Sequence, residues 1–419
     1  MAETLPNKAE MVVVGAGAVG CAIAWQLAAR GRRDVVVIEK SGITHGSTWH
    51  AAGLVGQYRS REDLTRLMLS SVRMMDEIQA ETPIDWRPVD SVRVASSAAR
   101  WQEYRSAEPL ARRYGVDFGL LTAAEAQRRF PFLSTSGVHG AALVHGDGYV
   151  DPSSLTQAYA GRARQLGVAI REGISVTGFE RNEDRCTAVL TDRGRIACKT
   201  LVLAPGVWAR VVGRMLGLDL PVAAIEHQYA VTEKRADVPR DLPCLRDPDL
   251  NFYLKPEVGG FAIGGWEANT VAVHGSDMPA SFGRELLPDN LERLQPILEA
   301  AARRLPVLEE LGLQRIINGP IPVSPDGEPI LGPEPSMGNV MLAIGFTSGI
   351  AASAGAGRAI AEWIIDGKPG FALPSLDPRR FGKTAWESRE MNTRAIRAYA
   401  GYYALSQSLA KGTGLQSLP

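Results

Sequence analysis

The stretch Met11-Val12-Val13-Val14-Gly15-Ala16-Gly17-Ala18-Val19-Gly20 constrains this chain more than any other. Four consecutive apolar residues predict a short strand buried on both faces, the hallmark of a parallel sheet. The strand runs directly into GxGxxG, and Cys21 to Arg30 follow with helical character up to Gly31, a good residue for a helix C-terminus. A second strand, Asp34 to Ile38, ends in Glu39. Gly15 allows the tight turn, Gly17 lets the backbone approach a pyrophosphate, and Gly20 lets helix and strand close on each other. The helix N-terminus, with Ala18 and Val19 at its start, offers free N–H groups to phosphate. Glu39, followed by Lys40, is placed to accept hydrogen bonds from an adenosine ribose, and an acid there disfavours a 2′-phosphorylated cofactor. Strand, turn, helix, strand and acid together predict a Rossmann-type dinucleotide site.

The length of 419 residues exceeds what one simple core supports and predicts two packed domains. Lys+Arg and Asp+Glu balance at 46 each, which argues against nucleic-acid binding and gives no electrostatic reason for membrane attachment. Cys21, Cys186, Cys198 and Cys244 lack CxxC pairing and metal-like spacing, so they are expected as plain thiols and no metal is expected. The first ten residues are too polar and acidic for a signal peptide. The apolar stretch Met341 to Gly357 is short, rich in Gly, Ala and Ser, and runs into Arg358, which argues against a membrane span. A cytoplasmic protein is expected.

After the second strand comes Gly46-Ser47-Thr48-Trp49-His50-Ala51-Ala52-Gly53-Leu54. Ser47 and Thr48 suit phosphate oxygens, and the small residues Ala52 and Gly53 permit close approach of a flat ring. This segment resembles the dimethylglycine and sarcosine dehydrogenase/oxidase family, within the D-amino-acid oxidase-like flavoproteins. The resemblance implies FAD as cofactor, bonded covalently through its 8α-methyl carbon to His50. It continues at Gly146 to Pro152 before the helical pattern Ser153 to Gly167. Glu172 to Glu180 reads as a strand, Arg185 to Leu190 and Arg195 to Cys198 as a hairpin, and Thr200 to Ala204 as a further strand broken at Pro205-Gly206 before Trp208. By resemblance, the backbone of Val176 lies near the adenine. Near the far end, a strand Asn339 to Ile344 leads into Gly345-Phe346-Thr347-Ser348-Gly349-Ile350, which opens a helix to about Ile365. That helix start has free N–H groups and, by resemblance, faces the pyrimidine end of the isoalloxazine, where reduction places negative charge.

The expected fold is α/β: a Rossmann-type FAD-binding domain from residues 1–85, 147–220 and 320–375, with a discontinuous antiparallel-sheet α+β substrate domain from 86–146 and 221–319. Strands are expected at Ser91 to Ala95, Ala223 to Thr232, Asn251 to Leu254 and Gly260 to Gly265, with Val307 to Ile317 ambiguous. Helices are expected at Arg61 to Ile78 and Asp289 to Arg304, and residues 376–419 read as a polar helical tail, Phe381 to Leu409. Relatives with a folate-binding half continue for about as many residues again, so a separate folate-binding partner is one expectation.

The resemblance implies oxidation, with N-demethylation, of a small N-methylated amine or amino acid, in which the flavin takes a hydride from the carbon beside nitrogen. The resulting imine hydrolyses to formaldehyde and demethylated amine. His227, in Glu226-His227-Gln228-Tyr229, resembles the family's active-site histidine, and Tyr253 its aromatic strand over the flavin. Monomeric sarcosine oxidases carry a lysine in the C-terminal flavin turn for the substrate carboxylate; Thr347 to Ile350 supplies none, leaving Lys255 and Arg59 as candidates. The alternatives are an oxidase or dehydrogenase of primary D-amino acids or 2-hydroxy acids, and a flavin-bearing non-catalytic subunit. Oxygen or an electron-transfer flavoprotein is the expected electron acceptor.

Overall fold

In the computed structural model, which describes residues 5–382 and 385–405, the strand Lys8–Val14 occupies the middle of an eight-stranded sheet. Met11 and Val13 point into one hydrophobic core and Val12 and Val14 into another, which is why the sequence there does not alternate. Its parallel neighbours are Val35–Ile38 on one side and Gly194–Leu203 on the other. The sheet continues outward through Ala169–Arg171 on the first side and Val340–Ile344 with Ile330–Pro333 on the second. The helix Ala18–Ala29 makes the first crossover, starting three residues before the expected Cys21 and ending one before Arg30.

The apolar, small-residue stretch near residue 350 becomes the helix Gly349–Asp366, packed on Ala18–Ala29 and on Glu62–Glu81. A Cβ on Gly357 would fall 2.7 Å from the backbone of Ala22, so the small residues serve close helix–helix approach. Among the described residues no helix is long and apolar enough to cross a membrane.

The second eight-stranded sheet runs Leu313–Val323, Ala223–Thr232, Gly260–Gly265, Phe252–Glu257, Cys244–Asp247, Ser91–Ala95, Gly140–Val144, Phe118–Leu121. It is antiparallel except where Cys244–Asp247 meets Ser91–Ala95. The helix Leu291–Arg304 covers it, burying Leu294 and Ile297.

Several expectations need correction. Glu172 to Ser175 form a turn rather than a strand; the strand is Val176–Asn182, and the preceding Ala169–Arg171 is the one that joins the parallel sheet. Arg195 to Cys198 and Thr200 to Leu203 are one strand, Gly194–Leu203, serving both hairpin and parallel sheet because no breaker separates them. The ambiguous segment after Val307 is a short 3-10 turn followed by the strand Leu313–Val323, which carries the second sheet past residue 320. The helix of the tail is Ser388–Ala400, and its Met391, Ala395 and Tyr399 are buried against Ala223, Ile225 and Trp266. Residues 1–4 of the polar N-terminus, Lys383, Thr384 and the stretch 406–409 of the expected helix lie outside the described residues.

Candidate active site

Three loops from the first sheet wall a long cleft. Its lining includes Gly15, Gly17, Ala18, Val19, Glu39, Lys40, Thr48, Val176, Ala204, Gly206, Trp208 and Gly345 to Thr347. Gly15 has φ +104°, and a Cβ there would sit 2.3 Å from the Ala204 carbonyl oxygen, so only glycine makes this turn. The Glu39 carboxylate accepts the Ala16 N–H at 2.9 Å and the Ser41 N–H at 3.0 Å, which ties the turn to the second strand. Burial raises its pKa.

Two helices start at this cleft, Ala18–Ala29 and Gly349–Asp366. Neither is capped by the side chain of the residue that precedes it and neither has an acid in its first turn, although Thr48 Oγ1 accepts the Ala18 N–H. Most helix starts are capped; a start without its own cap against a cavity fits an anionic group on a ligand. These features fit a flavin dinucleotide, with its pyrophosphate at the first helix and the pyrimidine end of its ring at the second.

The structure places most of the expected cofactor residues on this cleft or on the adjoining one, where His50, Ala52, Gly53, Leu54, Ser348, Gly349 and Ile350 lie. Gly20 and Trp49 line neither. A Cβ on Gly20 would strike the Gly15 carbonyl at 1.9 Å, the expected packing role. Trp49 stacks edge-on to His50 and lies under the Arg284 guanidinium, turned away by the tight 44–50 turn. Ser47 Oγ donates to the Pro320 carbonyl at 2.6 Å, so its hydroxyl is committed, whereas Thr48 Oγ1 accepts the Ala18 N–H at 3.2 Å and keeps its own proton to donate. Lys40 donates to the carbonyls of Ala280 and Phe282. His45, Ile174, Ser175 and Ile321 line the cleft without having been anticipated.

His50 is 5% exposed, and its Nε2 has no hydrogen-bond partner among the described residues. Burial lowers the imidazole to about 4, so it is neutral at pH 7. It lies flat over Gly319, where a Cβ would intrude to 2.5 Å. A buried, neutral imidazole with an unpartnered Nε2 at the edge of the cradle fits a histidine joined to a cofactor.

The adjoining cavity brings His50 together with His227, Tyr253, Arg59, Arg246, Trp266, Tyr402 and Tyr403. His227 stands on Ala223–Thr232 directly across from Gly319, which sets it beside His50. Its two ring nitrogens are both taken: Nδ1 lies 2.7 Å from the Tyr399 hydroxyl and Nε2 2.8 Å from the Tyr253 hydroxyl. Tyr399 donates onward to Glu267 Oε2 at 3.4 Å, and Glu267 also holds Arg293 at 2.7 Å. A carboxylate only accepts, so this end of the chain sets the donor order. Tyr399 gives its proton to Glu267 and accepts Nδ1–H; Tyr253 O–H then donates to Nε2. The lone pairs of Tyr253 remain for the cavity. His227 and Tyr253 both line the cavity, but His227 has both ring nitrogens engaged, whereas Tyr253 keeps acceptor lone pairs free.

The Tyr253 phenol, pushed well above its usual pKa by burial, stays protonated. Burial, with His50 and Arg293 nearby, pushes His227 down to about 3. The unfolded histidine, near 6.5, takes up a proton that the folded one refuses, so folding loses stability as pH falls from 6.5 towards 3. Between pH 6.5 and 4.5 the wild type should lose about 2–3 kcal/mol more than His227→Gln, measured by chemical denaturation. Parallel stability curves for the two proteins would show that His227 is not held neutral.

Lys255 is not an anchor in this cavity. Its Nζ pairs with Glu257 at 2.5 Å and lies over the Tyr149 ring, outside the residues that line the cavity. Arg59 does reach the cavity wall, donating to the carbonyls of Gly56 and Tyr58. The tail supplies what no motif announced: Tyr402 stacks on Trp266 at 3.8 Å and bonds Ser348 at 3.0 Å. The only sequence signal for it was three tyrosines, Tyr399, Tyr402 and Tyr403, closing a polar helix.

A doubly glycine-shaped dinucleotide cradle, opening beside a histidine–tyrosine cluster over an antiparallel sheet, defines a flavin-dependent oxidoreductase of the D-amino-acid oxidase type. The chain belongs to the DAO family of FAD dependent oxidoreductases, whose model matches residues 10–363. It is 35% identical over 408 residues to mitochondrial dimethylglycine dehydrogenase of Rattus norvegicus, a match covering 94% of this chain and 47% of that protein. To 4-methylaminobutanoate oxidase (formaldehyde-forming) of Paenarthrobacter nicotinovorans it is 31% identical, covering 96% of this chain and 49% of that protein. The chain thus spans about half the length of these relatives. Among solved structures, L-proline dehydrogenase from P. horikoshii superposes with a TM-score of 0.81 at 27% identity, covering 90% of this chain and 98% of that one.

Proposed function

We propose that this chain oxidises a small N-methylated amine on an FAD held covalently by His50, yielding an imine that hydrolyses to formaldehyde and the demethylated amine. The observation that carries the reading is the chain Tyr253–His227–Tyr399–Glu267, which presents a hydrogen-bond acceptor to the cavity beside His50. The amine specificity of the similar proteins named above supports it. When bound, the flavin supplies the hydride acceptor.

The protein's part is to deliver the amine in its neutral form. An alkylammonium has a pKa of about 10.4, and only the neutral amine has a lone pair to assist hydride departure. Tyr253 oxygen accepts an N–H from the substrate while its own proton leans on His227 Nε2, so a proton leaving the amine enters a connected chain. Trp266, Tyr402 and Tyr253 keep water scarce around it, which itself favours the uncharged amine. We assign the flavin cradle to 1–85, 147–220 and 324–375, and the substrate part to 86–146 and 221–323, keeping the strand Leu313–Val323 whole.

The test is a screen of N-methylated amines, primary D-amino acids and 2-hydroxy acids, with anaerobic bleaching of the flavin and formaldehyde as readouts. One formaldehyde per N-methylated amine consumed is the expected result, with or without a folate-binding partner to trap it. Bleaching by a D-amino acid or 2-hydroxy acid and by no N-methylated amine would overturn the reading. Repeating the turnover with oxygen and with an electron-transfer flavoprotein identifies the acceptor.

A further inference from the structure

Between the strand Gly260–Gly265 and the helix Leu291–Arg304, the chain from Val273 to Leu287 leaves the second sheet and crosses to the dinucleotide cleft, where Ala280 joins the lining. Both ends of the crossing are pinned. Ser276 Oγ accepts the Ala224 N–H at 3.2 Å and donates to Asn392 Oδ1 at 2.7 Å, and the Leu287 N–H donates to the Asn318 carbonyl at 2.8 Å. Between these pins the segment meets both rims of the cleft. Trp208, which follows the strand Gly194–Leu203, donates its indole N–H to the Pro279 carbonyl at 3.0 Å. Lys40, which follows the strand Val35–Ile38, donates to the carbonyls of Ala280, at 2.9 Å, and of Phe282. The Lys40 ammonium also lies 4.1 Å from the centroid of the Trp208 ring, so the two rims touch each other.

Three features mark this crossing as a closure that can open. Its contacts at the rims are few and individually weak: hydrogen bonds to neutral carbonyls, and a cation over a half-buried ring. Beneath it, Met278 and Phe282 pack on Val207, which gives the segment a closed position to return to. At its base, His274, Gly275 and Ser276 have φ of +47°, +61° and +71° in succession. Left-handed backbone through two residues other than glycine is strained, and it bends the chain sharply beside the buried pin at Ser276. Lys40 and Trp208 stand where cofactor ligands were expected, yet the polar groups of both are committed to the crossing segment.

We propose that Val273 to Leu287 form a strap over the dinucleotide cleft, latched by Lys40 and Trp208, and that FAD enters and leaves only when the strap lifts. The latches lie at the Glu39 end of the cleft, so the strap covers the adenosine half of the cofactor. The inference concerns the cofactor alone and stands whether or not the substrate is an N-methylated amine. Because the latches join protein to protein, losing one frees entry and exit together. A residue that only touched FAD would alter exit alone.

The test has two measurements on the full chain. The first follows FAD exchange by flavin fluorescence in the His50→Ala background, where no covalent bond masks it. Lys40→Met and Trp208→Phe, each added there, should raise the association and dissociation rates alike by about tenfold, the effect of one lost hydrogen bond, and leave Kd nearly unchanged. The second is amide hydrogen exchange in the FAD-loaded protein with His50 in place. The same substitutions should speed exchange across residues 277–287 and leave the central strand Lys8–Val14 at its wild-type rate. Faster dissociation with unchanged association would make the two residues plain cofactor contacts and overturn the strap. Strap amides that exchange at wild-type rates in both variants would overturn it as well. Should His50→Ala take up no FAD, the hydrogen-exchange result decides by itself.

Discussion

Replacing His50 by alanine is expected to move all of the yellow colour from the acid-precipitated pellet to the supernatant. In wild type the colour should stay with the denatured protein, because a covalent bond survives the loss of every non-covalent contact. The basis is the state of the imidazole. It is buried, its Nε2 has no partner, and burial holds it neutral with a pKa of about 4. An unpaired polar nitrogen in that position costs about 1–3 kcal/mol unless something engages it. Gly319 beneath it makes room for the ring to lie at the cavity edge. The variant should still take up FAD without the bond, since the helix starts at Ala18 and Gly349 and the Glu39 turn are untouched. Colour in the wild-type supernatant would remove the covalent claim; an alanine variant unable to bind any FAD would mean that His50 shapes the fold of the cradle instead.

The second large effect concerns the Tyr253–His227 pair. His227→Gln and Tyr253→Phe should each fold, keep the covalent flavin, and slow flavin reduction by about 10²-fold or more at neutral pH. The slowing should shrink as pH rises towards and past about 10.4, where the free amine becomes largely neutral and needs no acceptor. His227 itself, held near 3, does not titrate between pH 5 and 9, so the rise of rate with pH in wild type tracks the substrate. Tyr399→Phe separates positioning from contact. Its hydroxyl touches His227 and Glu267 but does not line the cavity. Its loss should reduce the rate less than loss of Tyr253 and leave KM unchanged. Reduction rates and pH profiles identical to wild type in His227→Gln and Tyr253→Phe would exclude both from the chemistry.

Consecutive residues alone determined the flavin cradle. Gly15, Gly17, Gly20 and Glu39 act through a turn, a helix start and a strand end that are neighbours in the chain, so steric and hydrogen-bond rules of short range suffice to read them. Thr347 to Ile350 before the last long helix are read in the same way, whereas His50 in its GSTWHAAGL segment was singled out by resemblance to the family and not by local rules. His227 and Tyr253 were legible as candidates but not in their order. Which of them keeps an acceptor free depends on Tyr399 and Glu267, remote in sequence and brought in by the tail helix and by the strand Gly260–Gly265 leading to Trp266. The role of Lys40 was invisible altogether. A lysine after a strand looks the same whether it meets a cofactor or another part of the chain. Only the return of Ala280, 240 residues further along, and of Phe282 to the rim of the cleft takes up its ammonium. Composition and local pattern determine what a segment becomes; what its side chains meet is a property of everything folded around it.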